Sequence, residues 1–147
     1  MATKNFPAPP EEQMIYAAWL EKGMLVGLVL LVISFLLYLF GILDPVVPVD
    51  QLARYWTLPA ADYVAAVNRD FLQMDKAVVG WTWLQLISKG DFLNFLPIAI
   101  LSGASILCYL AMVPVFWKKK DKAYLLMSIA EILILLLAAS GLLTAGH

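Results

Sequence analysis

Charge, cysteine and histidine are all scarce in this sequence. Of its 147 residues, 14% are charged, against about 25% in an ordinary globular chain. A lone cysteine, Cys108, excludes an internal disulfide framework and a thiolate metal cluster. A lone histidine, His147, excludes bis-histidine haem ligation within the chain, and it reads as a solvated end rather than a catalytic base. Phosphate-cradling glycine loops are missing, and the aspartates are too scattered for a metal site. Ten basic residues against eleven acidic ones lack the surplus that nucleic-acid binding requires. The length suits one domain. These absences lead to the expectation of a non-enzyme with no catalytic residue, metal or cofactor of its own.

What the chain has in quantity is apolar surface: 63% hydrophobic residues and a mean hydropathy of +0.83. It is concentrated in three runs. Gly23 to Leu43 is uncharged for 21 residues, Phe92 to Trp117 for 26, and Ala123 to Gly146 is broken once, by Glu131. A span needs about 20 such residues. The expected fold is therefore an all-α integral membrane protein with three transmembrane helices. Residues 1–22 form a cytoplasmic amphipathic segment, 23–43 the first span and 44–91 an extracytoplasmic helical segment. The second span is 92–117, a basic cytoplasmic turn is 118–122, and the third span is 123–146. The first run is expected to be a retained helix rather than a signal peptide. Glu11, Glu12 and Glu21 precede it against Lys4 and Lys22, and no small-residue cleavage site follows.

Orientation rests on the short loop between the second and third runs. Lys118, Lys119, Lys120 and Lys122 crowd there, and short basic loops stay cytoplasmic. The amino terminus is then inside and His147 outside, in a plasma (inner) membrane. Trp19, Trp56, Trp81, Trp83 and Trp117 suit the headgroup belts as anchors.

In the outer segment, Asp50 is placed to cap a short helix through Trp56, and Pro59 to open a longer one. Tyr63, Val67, Phe71, Met74, Val78 and Trp81 recur at helical spacing, which predicts one stripe. Ala77–Ser88 is too short to span and reads as interfacial or re-entrant. Gly90 reads as a left-handed turn, with Asp91 capping the next helix.

Glu131 is the residue that asks for a role. An ionised carboxylate at helix centre costs about 2.5–3.5 kcal/mol on insertion scales. Counting back from the hairpin turn near Lys120 places Tyr109 at its depth, with Ser105 nearby, so a Tyr109 hydroxyl bonded to Glu131 is expected. A helical wheel puts Tyr124, Met127, Ser128, Leu135, Ala138, Leu142 and Ala145 on the same side. Leu125, Ile129, Ile132, Leu133, Leu136, Leu137 and Leu143 then face lipid. Gly23 with Gly27, Gly103 within Ser102–Ser105, and Gly141 are candidate packing positions.

The functional expectation is an accessory, anchoring or assembly subunit of a larger membrane complex. Its partners would be the lipid bilayer and either other membrane subunits or copies of itself, with Glu131 fixing the packing. One alternative is an oligomeric transporter or a proton- or cation-conducting protomer using Glu131. A second is a quinone-contacting subunit of a redox complex.

Overall fold

The computed structural model describes residues 8–76 and 78–142. Among them the regular structure is helical, with no strand. In chain order it runs α1 (Glu11–Leu39), α2 (Val49–Tyr55), α3 (Ala60–Val67), a π-turn (Asn68–Leu72), a 3-10 stretch (Gly80–Leu86), α4 (Gly90–Leu93), α5 (Phe95–Lys119) and α6 (Lys122–Ala139). Three helical stretches are long and apolar enough to cross a membrane: α1, Gly90–Lys119 and α6.

The polar segment before Gly23 and the first apolar run are a single helix. Pro10 offers its carbonyl to the amides of Gln13 and Met14, at 3.0 and 3.3 Å, and Glu11 and Glu12 occupy the positive end of the helix dipole. Nothing between them and Leu39 breaks the backbone. At 29 residues, α1 is about 44 Å long and outreaches the hydrocarbon layer. It ends in a Schellman turn: Gly41 takes φ +63°, while the amides of Ile42 and Gly41 bond the carbonyls of Leu37 and Tyr38. The same closure ends α5, where Lys120 has φ +57° and the Asp121 amide bonds the Phe116 carbonyl. Asp121 then caps α6 by accepting from the Tyr124 amide. Thus the basic loop is a tight helix–helix turn.

The chain divides into two compact units, one formed by residues up to Val26 and from Leu101 onward, the other by Gly27–Ile100. In the first, α1 meets α5 closely. A Cβ on Gly23 would lie 3.0 Å from the Ala104 Cβ, so the absent side chain sets the approach. Cys108 is fully buried, its thiol directed at the Tyr16 carbonyl, 3.8 Å away. At the open end Lys119 bonds Glu12 at 2.6 Å and lies 3.7 Å from Glu11.

In the second unit, Val46, Val47, Tyr55, Ala66 and Val67 form a small core flanked by Leu52, Tyr63, Phe71, Leu72 and Phe92. Two polar clamps shape it. The Asp91 carboxylate accepts from the amides of Val46 (3.0 and 3.1 Å) and Val47 (3.3 Å), tying the proline-rich exit of α1 to α4. Asn68 donates to the Met74 carbonyl and accepts from the Met74 amide, at 3.0 and 3.2 Å. On α1, buried Ser34 donates to Asn94 at 2.7 Å.

Those clamps overturn several expectations. The stripe from Tyr63 to Trp81 is not one helix. Gln73 turns left-handed at φ +50°, held by the Asn68 clamp, and only the Tyr63–Phe71 part packs on the core. Asp50 lies inside the first turn of α2, whose cap is Pro48. Pro59 does open α3, as its cap. Gly90 is not left-handed. It is glycine because a Cβ would sit 2.8 Å from the Leu43 carbonyl oxygen. The cap position is Lys89; the Asp91 carboxylate accepts from the Phe92 amide of its own helix at 3.1 Å and also reaches back across 45 residues to Val46. The region 80–86 is a 3-10 turn whose Trp83 stacks on Trp81 at 6.1 Å and on Phe95 at 6.0 Å.

Candidate functional site

The first unit holds a groove of about 320 Å³ lined by residues of α1, α5 and α6. Its walls carry Glu12, Tyr16, Tyr109, Tyr124, Ser128 and Glu131, with Met112, Phe116 and Met127 between them. Antiparallel connection of α5 and α6 through the turn at Lys120 brings Tyr109 and Glu131 to one groove. Tyr16 enters because α1 lies on Cys108. Its ring meets Tyr109 edge-on at 6.0 Å, and Phe116 stacks on Tyr124 at 5.5 Å.

Glu131 stands nine residues into α6, about 14 Å from its start, near the middle of an 18-residue helix. Its side chain is exposed on the lone chain. Although Tyr109 shares the groove, no hydrogen bond joins the two. Among the described residues none engages the Glu131 carboxyl by hydrogen bond or ion pair. The groove's other carboxylate differs, since Glu12 is satisfied by Lys119.

The inward face of α6 is rotated from the wheel's expectation. Ser128 and Ile132 are buried and Leu125 and Leu135 half-buried, so the helix packs along Leu125–Ser128–Ile132–Leu135. That line holds two residues assigned to lipid, Leu125 and Ile132. Tyr124 and Met127 are 57% and 61% exposed, and Glu131 lies at the edge of the packed face rather than its centre. The wheel marked polar and small residues as inward. Burial follows shape instead of polarity: bulky Ile132 is covered while Glu131, one residue before it, is exposed.

Among the other expected positions, Gly23 and Ala104 touch, and Gly27 is buried. Gly103 is different: a Cβ there meets nothing within 4 Å. Ala138 is exposed, and Gly141 terminates α6 at φ +73° instead of packing. Ser105 is half-buried on α5. Trp19, Trp56, Trp81 and Trp117 are between 49% and 73% exposed, while Trp83 is held in its ring stack. Lys118, Lys119, Lys120 and Lys122 are all exposed around the turn. Ala145 and His147 lie outside the described residues. Glu12 and Tyr16 escaped the sequence reading. Their four-residue spacing on α1, opposite the lysines that end α5, was the available signal.

In the second unit a cavity of about 370 Å³ is lined by Tyr63, Val67, Trp83, Asp91, Phe92 and Phe95, among others. Its carboxylate is already committed to backbone amides. Among the described residues no three His, Cys, Asp or Glu side chains gather as a metal ion would need.

Helices of this length and composition define a small helical membrane protein. The chain belongs to the same family as a protein of Archaeoglobus fulgidus described as uncharacterized, with which it is 44% identical over 138 residues, 94% of this chain and 93% of the relative. No family model and no solved structure matches it.

Proposed function

We propose that this protein is a non-catalytic subunit of a larger plasma-membrane complex, and that it docks or steadies a neighbouring membrane subunit through the groove around Glu131. The observation that carries this reading is the unmet carboxyl. Glu131 lies at membrane depth, exposed, with aromatic walls beside it and no donor among the described residues upon it. Hydrocarbon cannot solvate such a group, and intramembrane carboxylates ordinarily face protein or water. A neighbouring subunit supplies both the missing partner and the missing cover. The groove is open on one side, so the three helices of one chain do not enclose a conducting path and transport would need further copies around Glu131.

The proposed orientation has the amino terminus and the lysine turn in the cytoplasm. It draws support from the Lys119–Glu12 bond, which puts the start of α1 at the level of the basic turn, and from the retention of short basic loops on the inner side. The test is native mass spectrometry after extraction in mild detergent. Defined foreign subunits support the reading. A homo-oligomer free of them supports the transporter alternative, and a lone chain contradicts both.

A further inference from the structure

We infer that the Glu131 groove receives a transmembrane helix of a different protein, and that this helix carries a single lysine or arginine at the depth of Glu131. The inference rests on the docking reading above and specifies the chemistry of the partner.

Three observations lead to a cation. First, the carboxyl has no counter-charge among the described residues. Lys119, at the groove's end, is already bound by Glu12 at 2.6 Å, with Glu11 at 3.7 Å. Second, a second copy of this chain cannot provide one. No Lys, Arg or His occurs within Gly23–Leu43, Phe92–Trp117 or Ala123–Gly146, so a copy docking through its spans brings no cation, and two grooves facing each other would bring carboxyl to carboxyl, an arrangement in which both cannot ionise. Third, the walls suit a cation on a long apolar stem. Tyr16, Tyr109, Phe116 and Tyr124 offer ring surfaces, which attract an ammonium or guanidinium group strongly when water is excluded. Met112 and Met127 are flexible apolar neighbours that adapt to an aliphatic chain. The exposed position of Glu131, at the margin of the packed face of α6, lets an incoming helix reach it without displacing Ser128 or Ile132.

The experiment uses the full chain in phosphatidylcholine liposomes and, as probes, 23-residue leucine–alanine transmembrane peptides that differ only at the central residue. Energy transfer between labelled protein and labelled peptide reads association. The central-Lys and central-Arg peptides are expected to bind about tenfold more tightly than the central-Leu peptide, the order that model peptides give for polar contacts in a bilayer. Glu131→Gln should bring them down to the central-Leu level. Glu131→Lys should reverse the preference toward a central-Glu peptide, and that arm guards against a variant that merely folds poorly. Equal binding of all peptides, or a Lys preference that survives Glu131→Gln, overturns the inference. So does Glu131-dependent binding of tetraphenylphosphonium without any Lys-peptide preference, which would make the groove a small-cation site, or Glu131-dependent self-association of the chain. These outcomes separate from the docking reading itself. Foreign subunits found in the native complex with no peptide preference leave docking in place and remove the cation.

Discussion

Substituting Gly90 by alanine should destabilise the protein, against the usual effect of removing a glycine from a helix. The added Cβ would stand 2.8 Å from the Leu43 carbonyl oxygen, 3.4 Å from the Leu43 Cβ and 3.4 Å from the Tyr38 ring. The first of these is backbone and cannot swing aside, and the Gly90 amide is itself bonded to the Asp44 carbonyl at 3.2 Å, so the two strands of chain are tied where they would have to part. Overpacking of this kind costs about 1–3 kcal/mol. Alanine regains at most about 1 kcal/mol of helix propensity, and less in the first turn of a four-residue helix. A net loss of about 1–2 kcal/mol follows, which for a chain of this size is a fall in Tm of about 2–8 °C. Thermal unfolding of the purified protein in dodecyl maltoside, followed by circular dichroism, reads it. Gly103→Ala is the internal control: it meets open space within α5, and should hold or raise Tm. If Gly90→Ala proves as stable as the wild type, the close approach between α4 and the chain leaving α1 is not the reason for the glycine.

Further outcomes follow from the clamps of the second unit. Asp91→Ala leaves the Val46 and Val47 amides without their acceptor and should cost about 1–3 kcal/mol, the penalty of unpaired buried donors, read as lost hydrogen-exchange protection at residues 46 and 47. Acid should loosen the same unit. Hydrogen bonds from Arg69 and Tyr55 hold the Asp70 carboxyl below its ordinary range, so the stabilisation is complete above about pH 4 and disappears as pH falls through the folded value. Asp70→Asn should flatten that acid limb in a Tyr55 fluorescence titration. The alkaline limb has the opposite origin. Burial, then the bond to Asp70, raises the Tyr55 phenol, so stability declines as pH rises above about 10; Tyr55→Phe should lessen the decline, the remainder belonging to Tyr63, which burial also raises.

Three long apolar helices were readable from sequence because lipid imposes a one-dimensional rule: a segment that crosses it must satisfy its own backbone, so an uncharged run of about 20 residues is helical. The turn at Lys118–Lys122 was readable for a similar reason, its charge being local. Tertiary choices left no such trace. Gly90 looked like a turn glycine, since nothing along the chain shows that Leu43 passes within van der Waals distance of it. The Tyr63–Trp81 stripe looked continuous because Asn68 is unremarkable until its side chain seizes Met74. In α6, periodicity separated greasy from small residues, but both faces of a membrane helix are apolar, so the pattern could not fix which one met α5. Glu131 was recognisable as costly; that Tyr16 and Glu12 share its groove depended on α1 packing against Cys108.

The central claim, that another protein covers the Glu131 groove, is tested most directly by photocrosslinking in native membranes. A photoreactive residue at Met127, exposed on the groove's lip, should yield a covalent adduct with a transmembrane segment of a second, different protein. The same residue at Leu133, 62% exposed on the far side of α6, should yield lipid adducts alone. Lipid adducts from both positions, or a crosslink at Met127 to another copy of this chain, would contradict the account.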